Sequence, residues 1–213
     1  MEVTSPRLNK ISKSPLIFMF TITIIFCVVL YLIIHSRELF ITKFKTEQLK
    51  DLGVKSVWYQ EDLPDNTKAI NTLIHLFKKV QTLLYNLESH HPNNPDVDRL
   101  LFRMRDGIKI QESEFEHGTS SYTINKGEVL SFCLRHKDDQ EKFHDENTMW
   151  FVICHELAHV MSVSEGHNKE FIKNFKFLLK ESKKYGLYHP IDYRDNNINY
   201  CGVLVTNNPY FNY

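Results

Sequence analysis

The longest uninterrupted apolar stretch of the chain lies near its N-terminus. Residues 16–34 (LIFMFTITIIFCVVLYLII) contain no charged side chain, and about 20 apolar residues in a helix cross the hydrocarbon core of a membrane. The run is longer than the apolar part of a usual signal peptide, and no small-residue cleavage site follows it. We therefore predict a retained transmembrane helix, preceded by an N-terminal tail (1–15) and followed by a mixed-charge stalk (35–52).

The remaining residues, 53–213, alternate between strand and helix patterns and are predicted to form one domain. Alternating apolar and polar positions in VKSVWYQ (54–60) predict a short strand. Apolar positions at helical spacing then predict a long helix capped by Asp65 and a shorter helix that starts at Pro95 or Asp96.

The second half of this domain is predicted to contain a β-hairpin, two helices and an irregular tail. The stretch SYTINKGEVLSFCLR (121–135) has turn residues between two strand patterns. The first helix is predicted to be capped by Asn147 or Thr148, and the second to span 168–185. The Asn- and Tyr-rich residues 187–213 show no regular pattern. These elements predict an α+β domain with a small antiparallel sheet.

The first of these two helices carries the sequence HELAH, from His155 to His159. Two histidines four residues apart project from the same face of a helix and can reach one zinc ion. Glu156 then lies beside the metal, where its carboxylate can take a proton from water and return it to a leaving amine. Because burying these side chains is costly unless they are paired or bind metal, the motif predicts a catalytic zinc site.

A third ligand has to come from the residues that follow. A metzincin would need glycine where this chain has Ser162. The candidates are Glu170 and Glu181, which would supply a carboxylate from the next helix, and His167. We favour His167, because a third neutral imidazole leaves the fourth position open for water. Glu170 would then be free to hydrogen-bond a ligating imidazole.

The histidine motif also resembles that of a known group. HELAH (155–159) followed by HNKEF (167–171) is similar to the signature of the SprT-like and WLM (Wss-like) zinc metallopeptidases, and the later stretches NFKFLLKESKKYGLYHPIDY and YCGV resemble WLM-like proteins of large DNA viruses. The resemblance covers about Ser121 to Val203. It implies a minimal, gluzincin-like zincin fold around an active-site helix. It also implies zinc ligands at His155, His159 and His167, with Glu156 as the catalytic residue.

Other residues of the domain can contribute to catalysis or substrate binding. His189, Tyr193 or Tyr200 could return to the cleft and hydrogen-bond a tetrahedral oxyanion, or could pack within the tail. The strand at 129–134 is either a free edge, to which an extended peptide can add, or an internal strand.

The charge of the chain bears on its partners, and its cysteine content bears on its cellular compartment. The chain has 26 Lys and Arg against 26 Asp and Glu, so no excess of positive charge favours a nucleic-acid partner. The cysteines form no C-x-x-C pair. Cys133 and Cys201 could form a disulfide, but we favour buried free thiols. The odd number of cysteines after the apolar run favours a reducing compartment.

These patterns together predict a membrane-anchored zinc metallopeptidase that acts on a protein or peptide substrate. It would be a single-pass protein of a host or virion membrane, anchored through residues 16–34. Basic residues on both sides of that run leave its orientation open, and the cysteines lean toward a cytosolic domain. The alternatives are a non-catalytic membrane protein of a virion that keeps the fold, or a hydrolase of non-peptide amides. Intact Glu156 favours the peptidase.

Overall fold

The structure, a computed structural model, describes residues 19–34, 53–105, 107–114 and 120–211. By contacts the chain divides into two units, Met1–Glu47 and Gln48–Tyr213. In the first unit, residues 19–34 form helix α1, and their side chains are exposed. Within the described ranges, no helix combines the length and the hydropathy that a membrane span requires. Residues 1–18 and 35–52, which include the predicted tail, the start of the predicted span and the predicted stalk, lie outside the described residues.

The second unit is built on a four-stranded sheet. Its strands are β1 (Val54–Trp58), β2 (Ile108–Glu112), β3 (Tyr122–Ile124) and β4 (Val129–Phe132). They are arranged in the order β1-β2-β4-β3, with β1, β2 and β4 parallel and β3 antiparallel to β4. β3 is therefore an edge strand, and β4 is internal.

Helices connect and cover the strands. Parallel neighbours need a crossover between them, and α2 (Asn66–His90) and α3 (Pro95–Arg105) form the crossover from β1 to β2. Two further helices, α4 (Glu146–Met161) and α5 (Lys169–Lys184), follow β4. α4 packs against α5, α3 and the sheet, and 12 of its 16 residues are buried. The helix that carries HELAH is thus the centre of the core.

The domain is a mixed α+β fold, and β3 and β4 form the predicted antiparallel hairpin. The prediction of an antiparallel sheet is wrong for the other strands, because β1, β2 and β4 are parallel. β2 was missed because IKIQE is short, ends in a charged residue and has no turn that joins it to a neighbouring strand. The alternation of buried and exposed positions is the same for parallel and antiparallel pairing, so the pattern does not reveal strand direction.

The start of α4 also differs from the sequence prediction. The N-cap is Asp145, whose Oδ1 accepts the Thr148 backbone N–H at 2.9 Å. The prediction of a cap at Asn147 or Thr148 is therefore wrong by two or three residues. The helix gains a carboxylate cap, which suits the positive end of the helix dipole.

The predicted irregular tail contains a second, two-stranded sheet. β5 (Ile198–Tyr200) and β6 (Val203–Val205) pair antiparallel across a two-residue turn. Both turn residues, Cys201 (φ 52°) and Gly202 (φ 80°), lie in the left-handed region, which is the conformation that a type I′ hairpin turn requires. This turn was hard to predict from the sequence, because a cysteine seldom adopts a positive φ.

A disulfide bond fastens this hairpin to the main sheet. Cys133, directly after β4, is bonded to Cys201 across a Cα–Cα distance of 6.4 Å. The Tyr200 hydroxyl donates to the Cys133 carbonyl at 2.7 Å beside it. The expectation of free thiols is wrong for this pair, whereas Cys154 is a buried free thiol.

A buried ion pair joins the sheet to the loop that precedes α4. Arg135 Nε donates to Glu112 Oε1 at 2.7 Å, and the two side chains are 0% and 1% exposed. Arg135 also donates to the carbonyls of Pro64 and Gln140, and Glu112 accepts the Gln60 backbone N–H at 3.1 Å. The pair therefore explains why a glutamate occupies a buried position of β2.

We expect removal of either partner of this pair to destabilise the protein strongly. Glu112→Gln or Arg135→Gln leaves a buried charge or donor unmatched, which costs about 3–5 kcal/mol of the free energy of unfolding. Replacing both residues, by Glu112→Leu with Arg135→Met, should recover much of the loss. Chemical denaturation measures all three variants.

The control is Glu128→Gln, which breaks the Lys109–Glu128 pair (3.6 Å, side chains 49% and 48% exposed). Exposed pairs contribute about 1 kcal/mol or less. Equal losses for Glu112→Gln and Glu128→Gln would contradict a stabilising role for the buried pair.

Candidate metal centre and cleft

Three histidine side chains converge at the C-terminal half of α4. The Nε2 atoms of His155 and His159 are 3.2 Å apart, and His167 Nε2 lies 3.0 Å from the first and 3.2 Å from the second. His155 and His159 are one helical turn apart on α4, and His167 comes from the loop between α4 and α5. The structure thus brings together the three residues that the sequence predicted as ligands.

This donor set fits a zinc ion. Three neutral imidazoles whose Nε2 atoms face one point cannot satisfy one another, because each hydrogen bond needs one donor and one acceptor. A tetrahedral zinc ion with bonds of about 2.0–2.1 Å holds its ligand nitrogens roughly 3.3–3.4 Å apart, close to the spacing seen here. The three histidines are one of two groups among the described residues that could hold a metal ion; the other includes the two disulfide-bonded cysteines.

The surroundings keep two of the imidazoles neutral. Burial, together with smaller contributions from neighbouring histidines, lowers the pKa of His155 to about 3 and that of His159 to about 4. Near neutral pH both rings therefore carry a free lone pair at one nitrogen, as a metal ligand must.

Phe171 fixes the orientation of the three rings. Its ring centroid lies 4.8 Å from that of His155, 4.3 Å from that of His159 and 4.7 Å from that of His167. It is 1% exposed and stands in the first turn of α5. The sequence signature contained this residue, but only the structure shows that it packs against all three imidazoles.

Glu170 holds the loop that carries His167. Its carboxylate accepts the backbone N–H groups of Val163 (2.8 Å) and Ser164 (3.0 Å) and the Ser164 hydroxyl. The Ser164 hydroxyl, followed by these N–H groups, lowers the pKa of Glu170 to about 2. Glu170 therefore supports the loop and not an imidazole. Glu181 instead pairs with His91 at 2.9 Å, elsewhere on α5.

Lys126 supports the same loop from the β3–β4 turn, a contact that sequence reasoning missed. Its Nζ donates to the Ser164 carbonyl at 3.0 Å and pairs with Glu165 at 3.0 Å. Asn125 and Lys126 have φ of 49° and 55°, which indicates a tight turn of the type that asparagine favours. The turn residues were visible in the sequence, but their contact with a loop nearly 40 residues later was not.

Glu156 is buried beside the histidines at 5% exposure. Burial raises the pKa of its carboxyl to about 8, although a hydrogen bond from the Thr123 backbone opposes this increase. Thr123 lies in β3, so the edge strand of the sheet runs next to the carboxyl group.

The histidines and Glu156 lie between two cavities. One, of about 480 Å³, has polar and charged lining residues that include Asn125, Lys126 and Glu165. The other, called the apolar cavity below, has a volume of about 390 Å³ and is lined by apolar side chains of α4, α5 and the β5–β6 hairpin together with polar residues that include Ser120, Ser121, Thr206 and Asn207. A larger cavity of about 560 Å³ lies near the N-terminal ends of α2 and α4 and contains none of the three histidines.

The three residues considered as oxyanion donors are placed differently. Tyr200 lines the apolar cavity, but its hydroxyl donates to the Cys133 carbonyl and lies 3.0 Å from the Ser121 hydroxyl.

Tyr193 is fully buried and packs against Phe151. The His189 backbone forms two hydrogen bonds with the Asn147 side chain, at the N-terminal end of α4 and therefore at the end opposite to the histidines. The structure does not bring His189 or Tyr193 into the cleft.

The chain is similar to known proteins over this region. Residues 118–197 match the WLM domain model, and this segment contains Glu156 and all three histidines. The uncharacterized protein R325 of Acanthamoeba polyphaga mimivirus is 27% identical over 168 residues, which cover 77% of this chain and 84% of the relative. The uncharacterized protein 136R of Invertebrate iridescent virus 6 is 26% identical over 131 residues, 62% of this chain and 72% of the relative.

Among solved structures, that of Wss1 from Saccharomyces cerevisiae has a TM-score of 0.48 and 18% identity, and covers 63% of this chain and 94% of that one. The resemblance to WLM-like viral proteins that was found in the sequence is confirmed by the domain match and the two viral relatives.

We expect Glu170→Gln to weaken zinc binding without unfolding the protein. The amide cannot accept all three hydrogen bonds in the same geometry, so the loop that carries His167 becomes less well held. Loss of a residue that positions a metal ligand typically lowers metal affinity by about 10–100-fold. Competition with a chromophoric chelator measures the change.

Glu181→Gln is the matched control, because it alters a carboxylate of the same helix that holds His91 and not the loop. Its zinc affinity should equal that of the wild type. A larger loss with Glu181→Gln than with Glu170→Gln would show that the loop contact is unimportant for the site.

Proposed function

We propose that this chain, whose residues 118–197 match the WLM domain, is a membrane-anchored, zinc-dependent metallopeptidase of the HExxH type. The observation that carries the proposal is the convergence of three imidazole nitrogens within 3.0–3.2 Å of one another beside a buried carboxyl group. The ligands would be His155, His159 and His167. A zinc ion held there would supply Lewis-acid activation of water and of the substrate carbonyl.

Glu156 would be the general base and then the general acid. It is too buried to be a surface carboxylate, and it lines both cavities of the cleft. Burial alone favours its protonated form, whereas a positive charge held by the neighbouring imidazoles would favour the carboxylate. The balance of the two effects places the group where it can accept a proton from water and donate it to a leaving amine near neutral pH.

The edge strand β3 would bind the substrate backbone. β3 is the last strand at one edge of the described sheet, and it contacts α4. One of its residues, Thr123, hydrogen-bonds Glu156 through its backbone. An extended peptide that adds to this edge would pass beside the carboxyl group. The sequence had suggested 129–134 as a candidate edge, but β4 lies between β2 and β3, so that suggestion is wrong.

A protein or peptide is therefore the proposed substrate. The chain has no net charge, which gives no electrostatic reason to propose a nucleic-acid partner. The alternative, a virion membrane protein without activity, offers no reason for a buried glutamate next to the histidines. The anchor would be residues 16–34, in a host or virion membrane.

We expect Glu156→Gln to abolish most hydrolysis while keeping the metal. The amide is nearly isosteric, so the fold and one equivalent of zinc should remain, but the loss of a positioned acid–base group typically lowers the rate by about 10²–10⁴-fold. Digestion of a peptide library and metal analysis of the same sample measure both quantities.

His155→Ala is the comparison variant. It removes a ligand, so zinc content, stability and activity should all fall together. Undiminished activity in Glu156→Gln would rule out the proposed mechanism. Full zinc binding with no cleavage of any library peptide by the wild type would support the non-catalytic alternative.

Residues 16–34 should keep the protein in the membrane fraction. We expect the full chain to resist extraction by alkaline carbonate, because the run is long and uncharged, and a variant lacking residues 1–34 to be released. Extraction of the full chain by carbonate, or a mature N-terminus beyond residue 34, would contradict the anchor.

A further inference from the structure

The apolar cavity is part of the metal site and not a separate pocket. Its lining includes His155, Glu156 and His167, so a group that occupies it lies next to the atoms where the proposed reaction takes place. Its volume of about 390 Å³ is within the range of about 300–1,000 Å³ found for pockets that bind organic ligands. The cavity has room for a large side chain.

Three elements build its wall from apolar side chains. Phe151 and Val152 of α4 and Phe175 of α5 are nearly buried, at 5%, 9% and 4% exposure. Val203 and Leu204 of β6 are 47% and 60% exposed. Apolar side chains exposed in a concave site lose their contact with water only when something binds there.

Charge distinguishes this cavity from its neighbour. Among the residues that the structure describes, Glu156 is the only Asp, Glu, Lys or Arg that lines the apolar cavity, whereas Lys126 and Glu165 also line the polar one. One side of the histidine cluster is therefore more apolar and carries fewer charges than the other, although Ser120, Ser121, Thr206 and Asn207 also line it. A substrate that crosses the cluster would meet most of the apolar side chains on one side and most of the charged ones on the other.

The outer part of the wall is held in position before anything binds. The β5–β6 hairpin is bonded through Cys201 to Cys133, and Tyr200 donates to the Cys133 carbonyl at 2.7 Å. A two-residue turn leaves the hairpin little freedom. A wall fixed in this way does not need to be ordered by the ligand, which increases affinity.

We infer that this cavity binds a large aliphatic or aromatic side chain of the substrate next to the scissile bond, with Val152, Val203 and Leu204 among the residues that determine specificity. The inference rests on the proposed peptidase function and adds the class of substrate. Burying such a side chain should strengthen binding by about 10–100-fold over a substrate that has only hydrogen there.

The test compares two probes on the zinc-loaded protein. Leucine hydroxamate and glycine hydroxamate share a group that binds zinc, and they differ only in the isobutyl side chain. Calorimetry should show leucine hydroxamate binding about 10–100-fold more tightly. Val203→Ser combined with Leu204→Ser should lower this ratio several-fold and leave the affinity for glycine hydroxamate unchanged.

Two further variants keep the comparison decisive. Val152→Thr conserves volume but places a hydroxyl in the wall, so it should lower the ratio even if the β6 variant is poorly folded. Ile172→Ser is the control, since Ile172 is 44% exposed on α5 and does not line the cavity. Its ratio should match the wild type.

Equal affinity for the two hydroxamates would overturn the inference, as would a ratio that falls equally in Ile172→Ser and in the cavity variants. Either of these outcomes can be distinguished from failure of the proposed function, because hydroxamate binding does not require turnover. If a peptide library is cleaved in a Glu156-dependent manner without preference for an apolar residue, the peptidase stands and the specificity inference fails.

Discussion

Three imidazole nitrogens that face one point, 3.0–3.2 Å apart, repel one another unless a proton or a cation lies between them. The rest of the domain holds them there. One turn of a buried helix sets the spacing of His155 and His159, and the α4–α5 loop brings His167 to meet them. Phe171 fills the space against the rings. The protein thus maintains an arrangement that a proton can stabilise only in part, because one N–H cannot serve all three nitrogens equally, and that a cation bound to all three would stabilise fully.

The same constraint explains the polar contacts that surround the loop. A loop alone would not hold an imidazole against this repulsion, because loop backbones fluctuate more than helices. Glu170 of α5 accepts hydrogen bonds from the loop backbone, and Lys126 of the β3–β4 turn donates one to it. Neither residue touches the convergent nitrogens, yet both restrict where the third imidazole can be.

The sequence predicted the convergence of the candidate ligands better than it predicted the scaffold around them. The spacing of HELAH is set by the helix itself, so two of the three histidines could be placed without tertiary information. His167 was chosen by coordination chemistry, with Glu170 and Glu181 left as alternatives. Local patterns also found β1, α2, α3, α5 and the β3–β4 hairpin.

Features that depend on distant contacts were not predictable in the same way. The parallel direction of β2, the buried Glu112–Arg135 pair and the disulfide all join residues that are far apart in the chain. The β5–β6 hairpin was missed because its strands are three residues long and its turn uses a cysteine. Each of these features leaves only a weak pattern in the sequence, because it is stabilised by contacts that form only in the folded domain.

The bond between Cys133 and Cys201 closes a covalent ring that contains α4, α5 and all three histidines. A single cut of the backbone anywhere between the two cysteines therefore leaves the two parts of the chain joined. If the chain has the proposed peptidase activity, it is exposed to that activity itself, and the α4–α5 loop inside this ring carries His167 of the cleft. Such a nick would pass unnoticed on a gel until a reducing agent separated the fragments.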